Sequence, residues 1–206
     1  MRADADFGEK MKILSGILFP DLPGAEKEPE TEMDFFRPAG RQAEAKEVLG
    51  IFYAFFTGHR NFLKGQYEIL LPREADLSEG ILRIAREQQG VCGYGLDLSS
   101  GKVMYLDPAG TAVPLEISLE DLLLALTALQ SMGSRPCCGR IYDCRELLKE
   151  RYSGFRITET TEEGAVYCFE EGVVLAVSGK DAFVSAGDDS AMETFERRQG
   201  LEVDYF

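Results

Sequence analysis

Apolar residues recur at helical spacing near the start of the chain. Phe7, Met11, Leu14, Ile17 and Leu18 share one face and predict a short helix over 7–19. Pro20 and Pro23 end it, and PGAEKEPETE reads as a charged linker. A stronger helix is predicted over Gln42–Thr57, with Ala45, Val48, Leu49, Phe52, Phe55 and Phe56 on one face. Gly58 follows it as the residue that commonly ends a helix. The period then changes. YEILL (67–71), ILRIA (81–85), YGLDL (94–98), KVMYLD (102–107) and VPLEI (113–117) are short runs bounded by turn residues, and they predict strands. DLSSGK between two of them suits a hairpin turn.

Ser118 opens the next helix, its hydroxyl placed to cap first-turn N–H groups and Asp121 placed near the positive end. LEDLLLALTALQSM is apolar around most of its circumference, which predicts packing on two sides. GSRPCCG (133–139) reads as a breaker cluster. CRELLKERY then predicts a helix and FRITET a strand. AVYCF, VVLAVS and AFVSA predict three more strands, AMETFERRQ a last helix, and GLEVDYF an extended end. There is no fixed-period repeat. Strand runs clustered between helices predict an α+β fold with a mostly antiparallel sheet and helices packed against it, not a doubly wound one. The expected division is an N-terminal helix and linker over 1–35 and one α+β domain over 36–206.

Charge changes the picture of partners. With 206 residues and a formal net charge of −14, the surface repels phosphate backbones, which argues against nucleic acid and suits a basic protein. The apolar run Ile13–Phe19 is too short to span a bilayer and lacks the pattern of a cleaved leader. Five cysteines, an odd number at irregular spacing, fit a reducing cytoplasm.

The stretch EQQGVCGYG (87–95) holds the densest candidate chemistry. Its glycines fall at 90, 93 and 95, the reverse of a dinucleotide fingerprint, and the strand-like YGLDL follows where a helix would be needed. No Gly-Lys-Ser/Thr completes a phosphate loop. The residues read instead as a turn at Gly90, with Gly93 and Gly95 permitting a bulge or close backbone approach in the second strand. The stretch resembles the hallmark of the SUKH superfamily, a strand running through a Glu-Asn-Gln-Gly-Val-Cys-aromatic-Trp-Gly turn into a second strand. Glu87, Gln89, Gly90, Val91, Cys92 and Gly95 match it; Gln88 stands for Asn, Gly93 for an aromatic and Tyr94 for Trp. The likeness is strongest over 36–132. It implies a non-enzymatic α+β fold whose bacterial members bind and block a toxin, commonly a nuclease, and whose fungal relatives regulate by binding proteins. It carries no catalytic residue, cofactor or metal. Gly90 and Gly95 would hold backbone shape, and Glu87 and Gln89 would fix the turn.

Other constellations are read as structural. Cys137, Cys138 and Cys144 lack the paired spacing of a zinc site, although Arg135, Arg140 and Arg145 nearby leave a reactive thiol open. His59, the single histidine, lies beyond a helix end with no partner in a motif. FYAFF (52–56) reads as core. The acidic positions Glu162, Glu163, Glu170, Glu171, Asp188 and Asp189 fall at strand ends and turns, as solvated loops or as a surface that steers a basic partner. The expected function is an immunity-type protein that occludes a toxin's active site. A regulatory module of the same fold and a small cysteine-dependent enzyme are the alternatives.

Overall fold

The structure is a computed structural model. It describes residues 6–18, 42–58, 67–71, 77–132, 135–151, 156–161, 164–169 and 171–206. In chain order the elements are α1 (Phe7–Leu18), α2 (Gln42–Gly58), β1 (Tyr67–Ile69), β2 (Leu77–Ser78), β3 (Ile81–Glu87), β4 (Gly93–Asp97), β5 (Val103–Leu106), β6 (Ala112–Pro114) and α3 (Leu119–Met132). There follow β7 (Cys137–Ile141), α4 (Arg145–Arg151), β8 (Arg156–Thr161), β9 (Gly164–Cys168), β10 (Val174–Ser178), β11 (Asp181–Ala186), α5 (Asp189–Gln199) and β12 (Asp204–Tyr205). The fold is α+β, and every strand pairing is antiparallel.

The strands form two sheets. One runs β1-β3-β4-β5-β6 with β2 added to β3; the other runs β12-β7-β11-β10-β9-β8. Contacts group the chain into two compact units, Met1–Asp21 with Leu124–Phe206, and Leu22–Leu123. The division falls inside α3 and places α1 with the C-terminal half. The proline-bearing linker does not announce this, because the grouping depends on long-range packing. The linker, His59, Glu162, Glu163 and Glu170 lie outside the described residues.

In the middle unit, Leu49, Phe52, Tyr53 and Phe56 of α2 are fully buried, as the run FYAFF leads one to expect. The β3–β4 hairpin is built at Gly90. Its φ is +70°, a left-handed value that disfavours a side chain. Its N–H donates to the Glu87 carbonyl at 2.9 Å, and the Glu87 N–H donates to the Cys92 carbonyl at 2.9 Å. Beyond the turn the register shifts between Arg83 and Ala85, a bulge in β3. Opposite it, a Cβ on Gly93 would meet the Ala85 carbonyl oxygen at 2.8 Å, and one on Gly95 the Leu82 oxygen at 2.9 Å. The two backbones approach as closely as they do because these positions carry no side chain. In the next hairpin Asp97 accepts from the Ser99 N–H at 2.8 Å and from the Ser100 hydroxyl at 2.7 Å, and Gly101 takes φ +72°.

In the C-terminal unit the core gathers Tyr167, Leu175, Val177, Val184, Leu148, Met192, Phe195, Leu201 and Val203, so α4 and α5 share one apolar layer with β9, β10 and β11. Asp188 caps α5 by accepting from the Ala191 N–H at 2.8 Å. Gly200 ends it at φ 63°, its N–H on the Glu196 carbonyl. Arg135 ties α1 to this unit, donating to the carbonyls of Leu18 (3.0 Å) and Gly172. The breaker reading of 133–139 is corrected at its C-terminal end: Cys137–Ile141 is β7, hydrogen-bonded to β11 on one side and β12 on the other. Gly139 is there because β12 crosses it, not because the chain turns. A Cβ would meet the Asp204 carbonyl oxygen at 2.8 Å and the Val203 side chain closer still.

Candidate protein-binding face

Register places the candidate site. Phe183 of β11 pairs with Arg140 of β7, and Arg140 with Asp204 of β12, so the three side chains stand in one row on one face. The core residues Ala182, Ile141 and Val184 alternate with them on the other face. Arg140 is held between two rings, its guanidinium carbon 5.2 Å from the Tyr142 centroid and 5.4 Å from the Phe183 centroid. Its Nη2 donates to Asp181 Oδ2 at 2.8 Å. The second Asp181 oxygen accepts from the Asp143 N–H at 2.9 Å. Those two bonds, the backbone one first, hold the Asp181 carboxyl below the usual carboxylate range. Phe206 packs against Phe183 as a tilted pair, 6.4 Å between centroids, and the Tyr142 hydroxyl donates to Asp204 Oδ2 at 3.2 Å.

These rings face outward. Phe206 is 79% exposed, Tyr142 54%, Tyr205 49% and Phe183 44%. They are the exposed large aromatics among the described residues, and all four lie on or beside the adjoining strands β7, β11 and β12. Tyr142, Phe183, Phe206 and Arg140 share one face, while Tyr205, in register with Gly139, stands on the other. Tyr, Phe and Arg brought together on one surface is a composition enriched at protein interfaces. Alternation along AFVSA and VDYF marks some residues as outward, but only the pairing of three strands distant in sequence shows that the outward ones are neighbours.

The acidic positions predicted from sequence are used partly within the chain. Glu171 is ion-paired with Arg198 at 2.6 Å, its side chain only 10% exposed. Asp188 is the α5 cap, and Asp189 Oδ1 accepts from the Cys137 thiol at 3.0 Å. In the matched hallmark, Gln89, Gly90 and Val91 are exposed at the hairpin tip, Glu87 and Cys92 are half-buried, and Tyr94 and Gly95 are buried. Tyr94 lies between Tyr67 and Tyr105, with ring centroids at 5.6 and 6.0 Å. Burial and these neighbours push its hydroxyl far above the ordinary tyrosine value.

The thiols of Cys92, Cys137, Cys144 and Cys168 are displaced away from reactivity. The Asp189 bond pushes Cys137 up to about 11, burial pushes Cys144 to about 11 and Cys168 to about 12, and burial with the Glu87 charge raises Cys92. Arg140, the cation expected to activate a neighbouring thiol, spends its charge on Asp181. Among the described residues no three His, Cys, Asp or Glu gather as a metal would require, and no helix is long and apolar enough to cross a membrane. The chain matches no family model, no curated protein and no solved structure.

Proposed function

We propose that this chain is a non-catalytic protein-binding module of the immunity type, which neutralises a basic toxin domain by covering its active site. The observation that carries the reading is the gathering of the exposed rings of Tyr142, Phe183 and Phe206 about Arg140 on one face at the edge of the second sheet. Rings of this size bring large apolar area at small entropic cost, and a solvent-exposed cluster of them is an uneven use of surface unless a partner covers it. The net charge of −14 supplies the steering that brings a basic partner in quickly. The likeness of EQQGVCGYG to the SUKH hallmark points the same way, as does the upward displacement of four of the five thiols.

The test is co-expression with the product of the adjacent gene. Cells producing a toxin domain should survive with this chain and die with Phe183→Ala/Phe206→Ala, both variants being folded and equally abundant. Equal protection by the double variant removes the aromatic face from the account. An adjacent gene that encodes no toxin favours the regulatory module.

A further inference from the structure

Resting on that reading, we infer that the partner engages β12 by adding a strand to its open edge, through an extended segment in which apolar side chains alternate with Lys or Arg. The Phe206 N–H donates to the Cys138 carbonyl at 3.3 Å, and Asp204 pairs with Arg140. Residues 204 and 206 therefore turn their backbone groups toward β7, and the antiparallel pattern turns those of Tyr205 and Val203 outward. On that outer side no described strand pairs with β12, which ends the sheet. The Val203 N–H is held by Glu196 Oε1 at 2.9 Å, which leaves the Tyr205 N–H and the two outward carbonyls presented to a partner.

The side chains on the two faces set the pattern of the incoming strand. On one face stand Phe206, Phe183 and the ring-held Arg140, with the Asp204 carboxylate between them held by the Tyr142 hydroxyl, a surface that the rings make mainly apolar. On the other, toward α5, the Tyr205 hydroxyl donates to Glu196 Oε2 at 2.8 Å. Desolvation, that bond and the charges of Glu193 and Asp189 push the hydroxyl up to about 12. The charged groups acting on this hydroxyl are thus acidic; of the α5 cations, Arg198 is paired with Glu171 and Arg197 donates to Thr194 Oγ1 at 3.3 Å. Because successive side chains of a strand point to opposite faces, a segment docked here meets rings and carboxylates by turns. Alternating apolar and basic residues satisfy both.

A phage-displayed library of random decapeptides, selected on the full chain, tests this. Enriched peptides should alternate apolar and basic residues, and a synthetic peptide of the consensus should slow hydrogen exchange at the Tyr205 amide. Tyr205→Pro removes the outward N–H while leaving the bonds to β7, a placement that proline tolerates on an edge strand. It should weaken the peptide about tenfold or more, and more than Tyr205→Ala, which also removes the ring but keeps the N–H; equal weakening by the two would overturn the strand-addition mode. Peptides without alternation, no enrichment, or equal binding by Tyr205→Pro would each overturn the strand-addition mode. Loss of binding in Phe183→Ala/Phe206→Ala with Tyr205→Pro unaffected would overturn it while leaving the aromatic-face reading intact.

Discussion

Gly139→Ala is a single methyl placed where β12 crosses β7. The residue is buried, and its backbone is in a strand, so the substitution brings no left-handed strain; its whole effect is steric. The added carbon would sit 2.8 Å from the Asp204 carbonyl oxygen and against the Val203 side chain. Neither can move freely: Asp204 is paired to Arg140, and Val203 is 5% exposed within the core shared with Leu201 and Phe195. Overpacking of a tight site costs about 1–3 kcal/mol. At roughly 2–4 °C per kcal/mol for a chain of this size, thermal unfolding should come about 2–12 °C earlier. Exchange at the Phe206 amide, bonded to the Cys138 carbonyl, should quicken in step as β12 lifts away. Gly187→Ala is the control, since nothing lies within 4 Å of its Cβ and its φ is ordinary. It should be neutral, or stabilising by about 0.4–1 kcal/mol. A Gly139→Ala protein as stable as the parent, with the Phe206 amide equally protected, would refute the close crossing and the placement of Phe206 beside Phe183.

Further outcomes follow from the same contacts. Gly90→Ala meets no atom but must hold φ +70°, so it should destabilise by about 1–2 kcal/mol in a denaturant titration, and Gly90→Asn by less. The carboxyls of Asp181 and Asp97 are held below their ordinary range in the folded chain. Their contribution is therefore complete above the unfolded value near about 3.9 and is lost as pH falls through the lower folded one. Unfolding monitored from pH 6 to 2 should show that loss, and Asp181→Asn should flatten it. With its pKa near 11, Cys137 is thiolate in only about one molecule in ten thousand at pH 7. Asp189→Asn should speed its alkylation several-fold, measured by mass spectrometry on the tryptic peptide; an unchanged rate would mean that the carboxylate does not govern the thiol.

The features legible in the sequence were those set by local spacing. The buried side of α2 follows from Leu49, Phe52 and Phe56 recurring at helical period. The β3–β4 hairpin follows from the runs around Gly90, and the α3 start from Ser118, whose Oγ accepts the Asp121 N–H at 3.0 Å. β7 was hidden because Pro136 and Gly139 are punctuation locally, while the need for Gly139 arises only when β12 arrives from more than sixty residues away. β2, two residues long, has no period to read. The split into two sheets was equally hidden, since alternation gives a strand two faces without naming its neighbours. The aromatic face shows the same limit: Tyr142, Phe183 and Phe206 lie far apart in the chain and meet only through register. Acidic side chains could be counted from the sequence, but Glu171 and Asp188 are occupied by Arg198 and the α5 N-terminus, which only the fold reveals.

Titration of the proposed toxin partner, the product of the adjacent gene, into the parent chain and into Phe183→Ala/Phe206→Ala, followed by calorimetry, bears most directly on whether the exposed rings around Arg140 form a binding face. Both side chains are substantially solvent-exposed, so the double variant should unfold within about 1 kcal/mol of the parent. Its affinity should nonetheless fall by at least about a hundredfold, as expected when two interface anchors are truncated. Affinity unchanged in the double variant would contradict the account.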